Sequence, residues 1–239
     1  MMKQKSALKL YVNVYIKLNT DIDFSDKPYY AMGSNSNYLV ATIDGGYHKL
    51  SNIDMGATNY FGLVGYNNGG TFKGFNVENL TISSNSSYVG GIVGYNASGN
   101  IMGLNISNVK LTGSEYIGGV VGYLNKGTVN EISISGDING YNNIGGITGY
   151  NYLSENKITS VLVNTNVTAS NSNAGGVFGW YANKPSINGV IETGTIKGNS
   201  YAGKISADSI ISVVRWLIIL NFLIESISSP QSSILIPLS

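Results

Sequence analysis

Asp21 and Asp23 stand two residues apart in "LNTDIDFSD", with Asp26 close behind. In a strand, side chains two apart share one face. Two carboxylates on one face are the donor set of a calcium site, or the acid pair of a glycan-cleaving enzyme. The structural alternative is a solvated strand edge, where inward-facing or flanking charges discourage further pairing. Asp44 lies in "DGG" and reads as a turn-former rather than a base. His48 follows the same turn and reads as a solvent-facing turn residue. It is the chain's single histidine, so neither a histidine-based metal site nor the HExxH helix of a zinc peptidase can be built. Glu78, Glu115, Glu131, Glu155 and Glu192 form no acidic row at one repeat position. The chain has no cysteine, which removes disulfides, thiolate metal sites and a thiol nucleophile. The "GG" pairs lack the GxxxxGK[ST] context of a phosphate loop. No catalytic residue, metal or cofactor is expected.

The more regular chemistry is aromatic. "YFGLVGYN", "YVGGIVGYN", "YIGGVVGYL", "NIGGITGYN" and "NAGGVFGWY" place Tyr66, Tyr95, Tyr123, Tyr150 and Trp180 directly after a glycine, at steps of 29, 28, 27 and 30 residues. A decayed sixth copy, "YAGKISAD", begins at Tyr201. A period this even means one supersecondary unit stacked on copies of itself. The five aromatics are the candidate ligand-binding residues. If the column faces solvent, it can meet sugar rings or a partner surface; if it faces inward, it is core.

What unit could position such a column? Leu63, Ile92, Val120, Ile147, Val177 and Ile205 precede the anchor glycine position by two. Phe72, Ile101, Val129, Ile158 and Ile187 follow it, and Phe75, Leu104, Ile132, Val161 and Val190 come three residues later. Between these columns the pattern alternates with the period of a strand, as in "NISNVKLTG". Helix formers are scarce, and turn clusters such as "NNGG" and "NASGN" punctuate each unit. The expected fold is all-β, a right-handed parallel β-helix (β-solenoid) of about 28 residues per coil with five to six coils. Stacked coils share a core, and like residues stack on like. Asn67, Asn96 and Asn151 follow the aromatic in three coils and predict a ladder of side-chain amides. Both alternate sets of "GGIVGY" contain apolar residues, so the pattern leaves open which face looks inward.

The expected organisation is a leading segment, 1–58, that supplies the first coils, then a repeat solenoid over 59–208 and an apolar tail over 209–239. "MMKQKSALKLYVNVYIKL" carries Lys9, Asn13 and Lys17 inside its apolar run and reads as an early strand rather than a signal peptide. In the tail, "IISVVRWLIILNFLI" at 210–224 is shorter than a typical membrane span and contains Arg215. It is expected to cover the open end of the solenoid. A marginal anchor, or a tail foreign to the repeat, are the alternatives, and membrane contact is expected only through 210–224. A formal net charge of +1, from 14 basic and 13 acidic residues, speaks against a nucleic-acid partner.

Residues 59–200 resemble the GLUG repeat family, whose pattern runs aliphatic-Gly-Gly-aliphatic-Val-Gly-Tyr-Asn, then Gly and a strand. "VGGIVGYNASGNI" at 89–101 and "IGGVVGYLNKGTV" at 117–129 carry the likeness most fully. "LNTDIDFSD" and "ATIDGGYHKLSNIDM" resemble the coil that precedes such repeats. Three departures stand out: Phe61 in place of Gly90 in the first copy, the longer turn "YLSENKI" at 152–158, and Lys204 and Asp208 in the sixth copy. The resemblance implies a bacterial, extracellular or cell-surface β-solenoid of the kind found in adhesins and in non-catalytic regions of immunoglobulin A peptidases. It supplies no catalytic residue. The expected function is therefore a non-enzymatic module, part of a larger protein, acting in adhesion toward host glycans or surface proteins or as a rigid spacer. The alternative is a polysaccharide lyase or hydrolase on the same scaffold.

Overall fold

A computed structural model describes residues 14–56 and 61–205. All regular elements among the described residues are strands, and each pairs in parallel with its equivalent one coil away. The result is a β-solenoid of about six coils, in which a thirteen-stranded and a five-stranded sheet wrap one core. A representative coil runs along Val93–Thr112, turns at Gly113–Ser114, continues along Glu115–Gly118 and bends into Val121–Leu124 of the next coil. The described part of the leading segment, 14–56, belongs to the same stack. Tyr15–Lys17 pairs with Thr42–Asp44, which pairs with Thr71–Lys73. The predicted cap or anchor at 210–224 lies outside the described residues.

Registry is residue for residue. Phe72, Ile101, Val129, Ile158 and Ile187 form one paired column, and Phe75, Leu104, Ile132, Val161 and Val190 the next. Their first four members are buried, while Ile187 and Val190 in the last coil are partly open. The ambiguity in "GGIVGY" resolves in an unexpected way, because its two successive aliphatic residues are both core while the aromatic is not. Ile92 and Val93 are each fully buried, as are Val120 with Val121 and Leu63 with Val64. The chain bends there, so two successive side chains enter the bore. The amides of Ile92 and Val93 accordingly both donate to the Val120 carbonyl, at 3.0 and 2.9 Å.

The first copy departs from the repeat differently from what its letters suggest. Phe61 pairs with Val89 and Val64 with Val93. Gly62 therefore stands opposite Gly90, and Gly91 has no counterpart. The copy lacks one glycine; it has not exchanged Gly90 for Phe61, whose ring is buried.

Corners use the left-handed conformation. One such column holds Gly74, Gly103, Glu131, Ser160 and Gly189, all with φ between 54° and 69°. Glycine takes this conformation freely, whereas a residue with Cβ is strained by roughly 1–2 kcal/mol. Exposed Glu131 is the clearest excess. Glu131→Gly should stabilise the solenoid by about 0.5–1 kcal/mol, read as a higher urea midpoint at constant m. A second corner column holds Asn52, Asn79 and Asn108 at φ 58°, 55° and 54°. Asparagine tolerates this conformation, and here its amides chain together: Asn108 Nδ2 donates to Asn79 Oδ1 at 2.6 Å, Asn79 Nδ2 to Asn52 Oδ1 at 2.8 Å, and Asn52 Nδ2 to Asp23 Oδ1 at 2.9 Å.

Candidate functional site

The aromatic column is outside the bore and half-buried. Tyr66, Tyr95, Tyr123, Tyr150 and Trp180 align in paired registry. Tyr95 and the buried Asn96 are successive residues of one strand, so the alternation that turns the amide inward turns the ring outward. Tyr66 and Tyr95 stack at 4.9 Å and 12°, Tyr95 and Tyr123 at 4.8 Å and 7°, and Tyr123 and Tyr150 at 4.9 Å and 20°. Both faces of Tyr95 and Tyr123 are therefore occupied by neighbouring rings. Flat stacking on a sugar ring is closed to them.

A second column, not singled out by the glycine-aromatic pairs, widens the strip. Tyr88 and Tyr116 stack on each other at 5.4 Å and 22°. Each stands nearly at right angles to the first column and bridges two of its rings. Tyr88 meets Tyr95 at 5.7 Å and Tyr123 at 5.8 Å; Tyr116 meets Tyr123 at 5.8 Å and Tyr150 at 5.3 Å. Tyr152, from the longer fourth turn, adds an exposed ring 6.5 Å from Tyr123, and Tyr38 stands 6.5 Å from Tyr66. The sequence signal was available in the leading Tyr of "YVGG" and "YIGG". It was easy to pass over because the next coil has Asn143 there.

Tyr88 and Tyr116 also carry strain, at φ 63° and 56°. A bulky residue is an outlier in this region, and Asn143, at φ 57° in the same column, is the better suited type. Burial, the largest cause, raises the phenol pKa values of Tyr116, Tyr123 and Tyr150, so these hydroxyls stay protonated over the ordinary pH range.

Beneath the strip runs the amide ladder, fully buried. Asn67 Nδ2 donates to Asn96 Oδ1 at 2.7 Å and to the Gly70 carbonyl at 3.1 Å, while Asn67 Oδ1 accepts from the Gly70 amide at 3.0 Å. Asn96 Nδ2 reaches the Gly99 carbonyl at 3.3 Å and the Lys126 carbonyl at 2.9 Å. In the third coil the ladder position is Leu124, and Asn156 from the fourth coil fills the gap. Its Oδ1 accepts from the Gly127 amide at 2.8 Å. Its Nδ2 lies 3.3 Å from the Leu124 carbonyl, 3.0 Å from the Asn125 carbonyl and 2.9 Å from Asn151 Oδ1. The longer turn "YLSENKI" thus supplies the missing amide.

The acidic residues near the N-terminus are held in three separate sets. Asp21 Oδ1 accepts from the Lys49 amide at 3.0 Å and meets His48 Nδ1 at 3.1 Å. His48 is therefore partnered and only partly open to solvent. Asp23 Oδ1 accepts from Asn52 Nδ2 and from the Ser25 amide and hydroxyl, at 2.9, 2.9 and 2.7 Å. Asp44 accepts from the Tyr15 hydroxyl and the Gly46 amide, and pairs with Lys73 at 3.2 Å. Among the described residues no three His, Asp or Glu side chains gather as a metal site. A shallow depression of about 590 Å³, lined by Tyr47, Asn76, Asn105, Glu131 and Leu162 among others, has Glu131 as the one carboxylate in its lining.

These bonds make the leading coils acid-sensitive. The Asn52 amide above all lowers Asp23 to about 2, and the Tyr15 hydroxyl above all lowers Asp44 to about 2. A carboxylate with a depressed folded pKa contributes stability above its unfolded value near 4. That contribution is lost as pH falls through about 2. Amides of Ile43 and Leu50 should therefore exchange faster with solvent at about pH 2 than at about pH 5 after correction for intrinsic rates, while those of Val121 and Ile147 stay protected.

Comparison with protein-family models, with curated proteins and with solved structures returned no match.

Proposed function

We propose that this chain is a non-enzymatic module of a bacterial surface or secreted protein, a rigid rod that binds through its tyrosine strip and holds that strip at a set distance from the rest of its protein. The observation that carries this reading is the left-handed conformation of two tyrosines within the strip, Tyr88 and Tyr116. Strain of this kind persists where surrounding structure over-determines it, and it gathers at functional positions. Here it doubles the width of an exterior aromatic strip running across four coils. Tyrosine is enriched at recognition surfaces because it offers large, rigid, amphipathic contact at low entropic cost. Covered ring faces favour contact through ring edges and hydroxyls, which suits the hydrogen-bonding surface of a protein or a glycan. The likeness to GLUG repeats supports the bacterial, extracellular setting.

Tyr88→Asn together with Tyr116→Asn tests the reading cleanly, since Asn already occupies this column at Asn143. The variant should match or exceed the parent in thermal midpoint and lose capture of its partner on a glycan array or in a host-surface-protein pull-down. Capture unchanged by the double substitution would overturn the strip as the binding surface. A parent chain that captures nothing in either format would leave only the spacer role.

A further inference from the structure

We propose that the tyrosine strip is a site of oxidative covalent stapling, in which a phenoxyl-generating oxidant joins tyrosines of adjacent coils, Tyr95 to Tyr123 foremost. The inference rests on ring geometry and is independent of any ligand. Four rings lie in one stacked column at 4.8–4.9 Å, and Tyr88 and Tyr116 lie alongside in edge contact at 5.3–5.8 Å. Such contacts let an electron vacancy created on one ring move to the next. Tyr152 is the point of access: it is 43% exposed and lies 6.5 Å from Tyr123.

The chemistry balances with a peroxide and a haem peroxidase as the oxidising system. Each of two tyrosines gives up one electron and its hydroxyl proton, leaving two phenoxyl radicals. Their unpaired electrons pair to form one carbon–carbon bond between ortho (Cε) positions. The hydrogen displaced from each ortho carbon moves to the phenol oxygen, restoring both aromatic rings. Two electrons and two protons have left the pair, and one hydrogen peroxide takes them up as two waters. The product ties one coil to the next across a loop of 28 residues. Closing a loop restricts the unfolded chain, which is how a disulfide stabilises. This chain has no cysteine and 17 tyrosines, so tyrosine coupling is a cross-link its composition allows where a disulfide is not.

The test treats the folded chain at low concentration with a haem peroxidase and hydrogen peroxide, then measures dityrosine fluorescence, denaturing-gel mobility and tryptic peptides. The expected product is a cross-linked monomer in which peptide 74–110 is joined to peptide 111–126 with the loss of two hydrogens, and whose thermal midpoint is raised. Tyr95→Phe with Tyr123→Phe keeps the rings stacked but cannot form the radicals, and should lose that Tyr95–Tyr123 product. Tyr152→Phe should slow its formation. The proposal is overturned if the folded chain gives only intermolecular products through exposed Tyr30, Tyr47 or Tyr201. It is equally overturned if the chain unfolded in guanidinium yields the same intrachain product as readily.

Discussion

Replacing Asn156 with Ala should lower the unfolding free energy by about 3–5 kcal/mol, more than a typical buried substitution. The side chain is fully buried, and the Gly127 amide, the Asn125 carbonyl and Asn151 Oδ1 lose its hydrogen bonds at once, while the Leu124 carbonyl keeps the Tyr152 amide. Each buried polar group left unpaired costs about 1–3 kcal/mol, and local relaxation keeps the total below the full sum. A urea melt followed by circular dichroism reads the effect as a lower midpoint. The diagnostic partner is Leu124→Asn. In the first two coils the ladder residue bonds to the glycine three positions on, Asn67 to Gly70 and Asn96 to Gly99. An Asn at 124 would be placed to do the same for Gly127. With Asn156 present, that change removes a buried leucine and crowds two amides into one site. With Ala at 156, the new amide inherits the orphaned groups. A double-mutant cycle should therefore give a favourable coupling of about 2 kcal/mol. Simple additivity of the two losses would show that Asn156 does not stand in for a missing ladder residue.

That compensation marks the limit of what the letters disclosed. Registry, strand content, the aliphatic columns and the amide ladder were legible, because each is a property of one position repeated at a fixed step. Val129 need only be apolar and 28 residues from Ile101 to be placed correctly. Features that depend on two coils at once were not. Asn156 sits in an irregular turn, with no equivalent in other copies, and its role appears only when that turn lies over Leu124. The missing glycine in the first copy looked like an exchange, because aligning letters conceals a deletion that backbone pairing exposes. The strip itself was half legible. The column after the anchor glycine was visible, but whether its ring faces were free depended on the spacing between coils. Registry that puts tyrosine directly over tyrosine spends those faces on each other. The stacking contributes about 0.5–1.5 kcal/mol per pair beyond area burial. The same arrangement withdraws the most obvious sugar-binding mode.

Gly118→Ala should be the other severely damaging change, costing about 3–5 kcal/mol, even though it adds a single methyl group. The reason lies in the bend that sends two successive side chains into the bore. To turn between Glu115–Gly118 and Val121–Leu124, the chain folds back so closely that a Cβ on Gly118 would lie 2.0 Å from the Val121 carbonyl oxygen and 2.7 Å from the Gly149 amide nitrogen. Both obstacles are backbone, so no rotamer change relieves them. The equivalent positions Gly90 and Gly145 meet Val93 O and Thr148 O at 2.0 and 2.1 Å, so the approach is a rule of the repeat. The methyl group must push one coil from the next, and the parallel pairing of Gly118 with Gly90 and Gly145 fails with it. Gly69→Ala is the matched control: φ there is 103°, yet a Cβ meets nothing within 4 Å. It should cost only the strain of that conformation, about 1–2 kcal/mol. If close approach between coils is what the repeated glycine provides, Gly118→Ala will be distinctly the worse of the two and will expose the amides of Val93 and Val121 to exchange. Equal losses at the two sites would show instead that glycine is kept for backbone freedom alone.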